Sequence, residues 1–358
     1  MAGTTLEGFA ERLLAITDEG RRTATYKLAL LLALIDGAAE GVNPIGEPPV
    51  SLHTRIVAGQ VARLYWPQIR PFPGDRGVID LRQITNKKAT ILESLGSLWA
   101  HAPVRTWDEA ESHPDAAKAL DSIELTVARY PLLRLQTIDG VAQPFIYDVD
   151  WTESVSLKSL HASGGGEVVF RPGAADQLLR LAPLVRPLVE LHWVRMVAQL
   201  NDLTPVEDDL RAHLFGADRV AFSAAVRGGL REFQDRDCFY CHEPVRDAVV
   251  DHFLPWSRWP NDALENLVLA HTRCNGKKSD HIPGSVPLQA WRTRLVAHGG
   301  DLAELARRSR TPYRPTRTIA LARSLYGHLS RGAPLWDGPG VVSQNDHPEE
   351  LFELLAGL

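Results

Sequence analysis

The chain has 358 residues, a length that suits two or three domains with cores of their own rather than one small module. Its 44% hydrophobic and 23% charged residues are ordinary for a globular protein, and its formal net charge of −5 excludes a general polycation without excluding a nucleic-acid partner. The three cysteines, odd in number and gathered in one 37-residue window, exclude a secreted disulfide scaffold and indicate a reducing compartment.

The apolar segments indicate buried helices rather than a membrane anchor. The strongest apolar run, from Leu28 to Ile35, is too short to cross a bilayer, and acidic residues precede it where a signal peptide would be basic. We therefore expect a cytoplasmic protein that does not associate with membranes.

The N-terminal part is predicted to be mostly helical, with a few short strands. Apolar periodicity and Pro/Gly-rich ends predict helices over 5–42, 54–65, 88–100, 114–129 and 174–200. Alternating apolar residues predict short strands at 77–82, 144–151 and 167–171, and a glycine-rich turn at 163–166 separates the last two. Two more helices are predicted over 204–235, and two or three over 287–330.

These elements predict an α+β protein, which we divide into four parts. They are a mostly helical N-terminal region (1–202) for recognition, sensing or assembly, a helical connector (203–235), the cysteine-containing module (236–282) and a C-terminal helical region (283–358). Within the last part, residues 292–331 hold nine arginines against Asp301 and Glu304. This stretch predicts phosphate contacts with a nucleic acid, or alternatively a solvated helical hairpin in an arginine-rich protein.

The cysteine window has the spacing of a zinc site. Cys238 and Cys241 form one Cys-x-x-Cys pair, His271 and Cys274 form a second pair, and 29 residues separate the two pairs. Each short turn lets two soft or borderline donors converge on one tetrahedral ion, so we predict structural Zn²⁺. His242 is a competing ligand, and the alternative is that the cysteines are ordinary buried thiols.

Between the two pairs lies an Asp251-His252 dipeptide, which carries a second possible chemistry. Neighbouring side chains of a strand point to opposite faces, so this pair can share one site only where the strand ends or bends, as Pro255 would allow. Taken alone, such a pair is more often a structural hydrogen bond than a catalytic one. Asn266, Asn275 and the lysines at 277 and 278 complete the polar set of the window.

In this order, the residues resemble the HNH endonuclease family, whose module has the ββα-metal fold. The shared pattern is Cys-x-x-Cys, Asp-His, Asn and Cys/His-x-x-Cys-Asn-x-x-Lys, and it covers residues 236–282. The resemblance does not extend to the N-terminal region. Two positions depart from the commonest pattern, because His271 stands where the family more often has cysteine and Asn275 replaces the final histidine of the family name.

The resemblance implies a role for each of these residues. His252 is expected to be the general base, and its ordinary pKa suits proton removal from water near neutral pH. Asp251 and Asn275 are expected to bind one Mg²⁺ or Mn²⁺, and Asn266 to hold the loop that orients His252. Lys278 is expected to contact the scissile phosphate or its neighbour, although a solvated charge is nearly as good an interpretation.

We therefore expect a metal-dependent DNA endonuclease, in which the N-terminal region selects the target or a partner. Family analogy suggests bacterial restriction or phage defence, and a homodimer or a defence-system partner protein would fit. The alternative is a non-catalytic zinc module that binds DNA or protein. Haem attachment at Cys-x-x-Cys-His is rejected because it requires export and leaves Asp251, Asn266, His271 and Cys274 unexplained. Redox use of the same pair is rejected because thiolates bound to zinc are unavailable for exchange.

Overall fold

The computed structural model describes residues 5–18, 24–74, 77–84, 89–101, 103–104, 106–203, 207–215 and 222–358. Parts of the predicted helices 5–42, 88–100 and 204–235 lie outside these ranges. The chain forms two compact units, of which the first comprises Met1–Ala38 and Pro48–Asp218 and the second Ala39–Glu47 and Arg219–Leu358. None of the helices in the described ranges has the length and apolar content needed to cross a bilayer.

The first unit is mostly helical, as predicted. Its helices are α1 (Leu6–Asp18), α2 (Tyr26–Glu40), α3 (Thr54–Tyr65), α4 (Thr90–His101), α5 (Trp107–Ala110), α6 (Ala116–Arg129), α7 (Pro131–Arg134), α8 (Leu157–Leu160), α9 (Ala174–Leu200) and α10 (Glu207–Phe215). The long helix predicted over 174–200 is confirmed as α9, and most of its apolar residues are buried, although Leu184 is exposed. Trp66, Trp107 and Trp193, the last of them on α9, are among the largest fully buried side chains of this unit.

The strands of the first unit are short. They are β1 (Ser51–His53), β2 (Phe72–Gly74), β3 (Gly77–Ile79), β4 (Thr137–Ile138), β5 (Val141–Ala142), β6 (Tyr147–Asp148) and β7 (Glu167–Phe170). The order β1-β7-β6 gives an antiparallel sheet of three strands, with Leu52 opposite Val168. Asp139 and Gly140, both with positive φ, join β4 to β5 in the Asp-Gly turn that favours a tight hairpin.

The second unit contains α11 (Ala224–Phe233), β8 (Ala248–His252), β9 (Leu267–His271), α12 (Thr272–Lys278), β10 (Ile282–Pro283), α13 (Ser285–Ser309), α14 (Pro315–Gly327), β11 (Pro334–Gly338), β12 (Val341–Gln344) and α15 (Pro348–Ala356). β8 and β9 form an antiparallel hairpin, and α12 follows β9 directly and packs against both strands. Hairpin and helix together form the ββα arrangement that the resemblance implies, within the predicted α+β class.

The C-terminal part differs from the prediction of helices alone. β11 pairs in parallel with β10 and antiparallel with β12, so a strand hairpin lies between α14 and α15. The hairpin places Trp336 in the core of the second unit, beside Trp291 and Tyr326. Its turn, Gly338-Pro339-Gly340, has positive φ at both glycines, a conformation that glycine adopts at little cost.

Candidate metal centre and active site

The ββα hairpin brings the two Cys/His pairs of the window together. Ala248 pairs with His271 across the hairpin, so β9 ends at the first residue of the second pair, and the first turn of α12 carries Cys274. The ligand atoms of Cys238, Cys241, His271 and Cys274 all lie within 4.8 Å of one another. These are the four residues that the spacing predicted.

The distances in this cluster fit a tetrahedral zinc ion. Nδ1 of His271 lies 3.3 Å from Sγ of Cys241 and 3.8 Å from Sγ of Cys274. Bonds of about 2.3 Å to sulfur and about 2.0 Å to nitrogen place tetrahedral donors roughly 3.5–3.8 Å apart. Burial raises the pKa of Cys274 to about 12, with Cys238 adding to the effect, so a thiolate at this position requires a nearby cation.

The surroundings of His271 select the nitrogen that faces the cluster. Its Nε2 lies 3.2 Å from the carbonyl oxygen of Pro244, which can only accept, so Nε2 carries the proton and Nδ1 keeps its lone pair for a metal. The backbone N–H of His271 also points to Sγ of Cys238 at 3.4 Å. His242, the competing ligand, is exposed and lies outside the cluster, in the left-handed conformation of the turn after Cys241.

Asp251 lies on β8, where it is buried, and it contacts two side chains among the described residues. The hydroxyl of Tyr240 donates a hydrogen bond of 2.5 Å to its Oδ2, and the ammonium of Lys278 lies 3.2 Å from the same oxygen. Burial, together with the Asp251 charge, raises the pKa of Tyr240 well above its usual value, so the phenol stays protonated and donates. Both of these contacts are made by Oδ2 of Asp251, and neither involves Oδ1.

Lys278 lies in the interior of the module rather than on its surface. Its side chain has no exposed area, and Nζ donates to the backbone carbonyl of His252 at 2.8 Å as well as pairing with Asp251. Burial lowers the pKa of Lys278, an effect that Asp251 partly opposes. This placement does not suit the phosphate contact expected from the sequence, because two buried oxygens already hold the ammonium. Lys277, one residue earlier, is exposed.

His252 is held by a residue that the sequence analysis did not identify. Its Nε2 lies 2.8 Å from Oδ1 of Asp262, and the rings of Phe222 and Trp256 pack against the imidazole, with centroids at 5.6 and 5.2 Å. An ionised carboxylate accepts, so Nε2 carries the proton. Nδ1 is therefore the basic nitrogen, and the side chain keeps 15% of its surface exposed.

Asn266 holds the chain on both sides of this site. Its Oδ1 accepts from the backbone N–H of Leu254 at 2.8 Å, and its Nδ2 donates to the carbonyls of Leu254 and Asn261. The backbone N–H of Phe253 also donates to its carbonyl, at 2.7 Å. This fully buried amide therefore fixes the segment that leaves β8 just after His252.

Asn275 is half-buried and lies one turn before Lys278 on α12. Residues three apart share a helix face, so Asn275 projects from the side of α12 that contacts Asp251. The N-terminal half of the helix also carries Arg273, which is exposed like Lys277.

The arginine-rich stretch 292–331 is used largely within the fold. Arg294 and Arg323 are buried and donate to the carbonyls of Leu264 and Leu358. The exposed Arg307 and Arg308 pair with Glu304 on the same helix. The charge of this stretch is therefore a weaker source of DNA affinity than its sequence indicates.

If the module is the DNA nuclease that the resemblance implies, replacement of Asp262 by asparagine is expected to lower cleavage on the order of 10²-fold, the lower end of what a general base supplies. An amide can donate to Nε2, which moves the imidazole proton to Nδ1 and removes the basic lone pair. Cleavage of plasmid DNA under single-turnover conditions measures this effect. Asp247→Asn changes an exposed carboxylate just before β8 and should leave the rate unchanged. Full activity of Asp262→Asn would rule out this role.

Tyr240 and Asp262 were missed for a physical reason. Tyr240 lies inside the Cys-x-x-Cys spacing, where the two intervening residues carry no pattern of their own. Asp262 lies in a loop ten residues after His252, and only the folded loop brings the two together. A carboxylate near a base histidine is a recurring arrangement, which would have justified testing the acids of this loop.

Comparison with known proteins agrees with this geometry. A family model described as an HNH endonuclease matches residues 238–284, which include the zinc cluster, the Asp-His pair and α12. A second family model, described as a domain of unknown function (DUF8808), matches residues 7–212. No curated protein matches the chain, and no solved structure does. Since the second match covers more than half of its length, the chain belongs to the DUF8808 family, and it joins that domain to an HNH endonuclease module.

Proposed function

We propose that this protein is a metal-dependent endonuclease that hydrolyses DNA, and that its N-terminal region selects the target or a partner. The arrangement of His252 carries the proposal. Its Nε2–H is held by Asp262, its ring contacts Phe222 and Trp256, and its Nδ1 is the remaining basic atom of the imidazole. The match to the HNH endonuclease family supports the same conclusion.

Hydrolysis of a phosphodiester requires an activated water and stabilisation of the charge that develops on the phosphate and the leaving oxygen. Nδ1 of His252 accepts the proton of the attacking water. Asp262 stabilises the imidazolium that results, because its carboxylate bonds the opposite nitrogen. Asn266 keeps the backbone after His252 in place, so that the imidazole stays oriented during the reaction.

Asp251 and Asn275 are the residues that would hold the catalytic cation, through Oδ1 of the carboxylate and the amide oxygen. Such hard oxygen donors suit Mg²⁺ or Mn²⁺. The cation supplies Lewis-acid stabilisation of the phosphate and of the leaving oxygen. Lys277 and Arg273, both exposed on α12, would contact the DNA backbone in the role first expected of Lys278.

The experiment is cleavage of supercoiled plasmid by the full chain with added Mg²⁺ or Mn²⁺ and in cation-free buffer. Nicked and linear products are expected only with the added cation, while zinc content stays constant. Omitting the cation is preferable to adding EDTA, because a chelator also attacks the zinc cluster. An absence of cleavage with plasmid, modified phage DNA and single strands would favour the non-catalytic binding module.

The defence role is tested by plating phages on cells that produce the chain or its His252→Ala variant. A restriction function lowers the plating efficiency only when the nuclease is intact. Because the described part of one chain holds one such site, cutting both strands favours a homodimer, which light scattering with and without DNA would detect. Binding of the inactive variant to modified and unmodified DNA tests target selection by the N-terminal region.

A further inference from the structure

Tyr240 connects the zinc cluster to the candidate cation site. It lies on the loop between Cys238 and Cys241, so any ion that fixes these two cysteines also fixes its backbone. Its ring packs edge-on against Trp336, with centroids 4.7 Å apart, and only 7% of the residue is exposed. The hydroxyl at the end of this fixed ring reaches Asp251.

The two partners of Asp251 contact the same oxygen. Tyr240 donates to Oδ2, and Lys278 approaches Oδ2 while also bonding the carbonyl of His252. Oδ1 of Asp251 takes no part in either contact. The rotation of the carboxylate is thereby set, and Oδ1 is the oxygen left to bind a cation.

Building on the proposed function, we infer that Tyr240 is a positioning residue through which the zinc cluster orients the carboxylate that binds the catalytic cation. Hydrogen-bond partners behind a metal ligand typically change metal affinity 10- to 100-fold. The two metal sites are then coupled, so that a change in the geometry of the zinc loop changes the affinity of the cation site. A tyrosine that only satisfied a buried carboxylate would leave this affinity unchanged.

The test compares Tyr240→Phe with wild type in the full chain. Free Mn²⁺ is measured by electron paramagnetic resonance, which gives the dissociation constant without reference to activity, and zinc is measured by elemental analysis. We expect Tyr240→Phe to retain its zinc and to bind Mn²⁺ about tenfold more weakly. Saturating Mn²⁺ should restore most of the cleavage rate, since His252 and Asp262 are unchanged.

Tyr326→Phe is the matched control. Tyr326 is also fully buried in the second unit, and its hydroxyl donates to the carbonyl of Pro283 at 2.7 Å, so the variant loses a buried tyrosine hydrogen bond that does not involve Asp251. Its Mn²⁺ affinity should equal that of wild type. An equal loss of affinity in both variants would overturn the inference, because it would point to general destabilisation.

A second measurement uses the native sequence, in case Tyr240→Phe fails to fold. Replacing Zn²⁺ by the larger Cd²⁺ in the thiolate cluster should shift the loop that carries Tyr240 and weaken Mn²⁺ binding by wild type. In Tyr240→Phe, the same exchange should have a smaller effect, because the connecting hydrogen bond is absent. Unchanged Mn²⁺ affinity of the cadmium form of wild type would overturn the inference.

The outcomes separate this inference from the proposed function. A zinc-loaded Tyr240→Phe variant that cuts DNA at the wild-type rate and binds Mn²⁺ as tightly as wild type would support the nuclease function. The same result would exclude the positioning role of Tyr240. A wild-type chain that neither binds Mn²⁺ nor cuts DNA would overturn the nuclease itself, and the coupling with it.

Discussion

Cleavage of plasmid DNA by His252→Ala is expected to fall by roughly 10²- to 10⁴-fold, the contribution typical of a general base. The imidazole is fixed by Asp262 and by two aromatic rings, so its loss removes the basic nitrogen that this arrangement orients. Single-turnover rates at saturating Mn²⁺ measure the effect. Zinc content should be unchanged, since His252 is not a member of the cluster.

Two further measurements separate catalysis from folding in this variant. Added imidazole should restore part of the rate, because the alanine leaves a space between Phe222 and Trp256 into which the free base fits. His347→Ala removes an exposed histidine ahead of α15 and should cut at the wild-type rate. Wild-type activity in His252→Ala would exclude His252 as the base, because an active variant must also be folded.

The sequence was sufficient for the parts of the site that depend on local spacing. Two-residue intervals make each Cys/His pair converge in any tight turn, and the pairs then meet through a single hairpin. Burial, in contrast, depends on packing that the sequence does not display. Lys277 and Lys278 are identical neighbours, yet one is exposed and the other has no exposed surface, because α12 presents opposite faces to solvent and to β8.

The same limit applies to the arginine-rich stretch and to the C-terminal hairpin. Nine arginines indicate a positive surface only while their side chains point outwards, and Arg294 and Arg323 instead bond backbone carbonyls in the interior. The strands β11 and β12 are only five and four residues long, and helices flank them. Their Gly-Pro-Gly turn was a readable signal, and the helical periodicity on either side obscured it.

Loss of zinc is expected to unfold the ββα module at 25 °C, as tested by Cys274→Ser. A hairpin of two strands and a helix of seven residues are each marginal on their own in water. A structural zinc contributes on the order of 10 kcal/mol to folding, comparable with the whole stability of a typical domain. Elemental analysis should find no bound zinc, and cleavage should be abolished.

Hydrogen exchange resolved along the chain distinguishes this local effect from general collapse. Protection should disappear over 238–278 and weaken in α13, because Trp291 stacks on Phe253 and donates to the carbonyl of Glu265. The helices α3 and α6 of the first unit should retain their protection, since that unit has its own compact core. His242→Asn is the matched control, since asparagine tolerates the left-handed backbone there and the side chain lies outside the cluster. Retained protection of 248–271 in a zinc-free Cys274→Ser chain would show that packing alone folds the hairpin, and the cluster would then need another role.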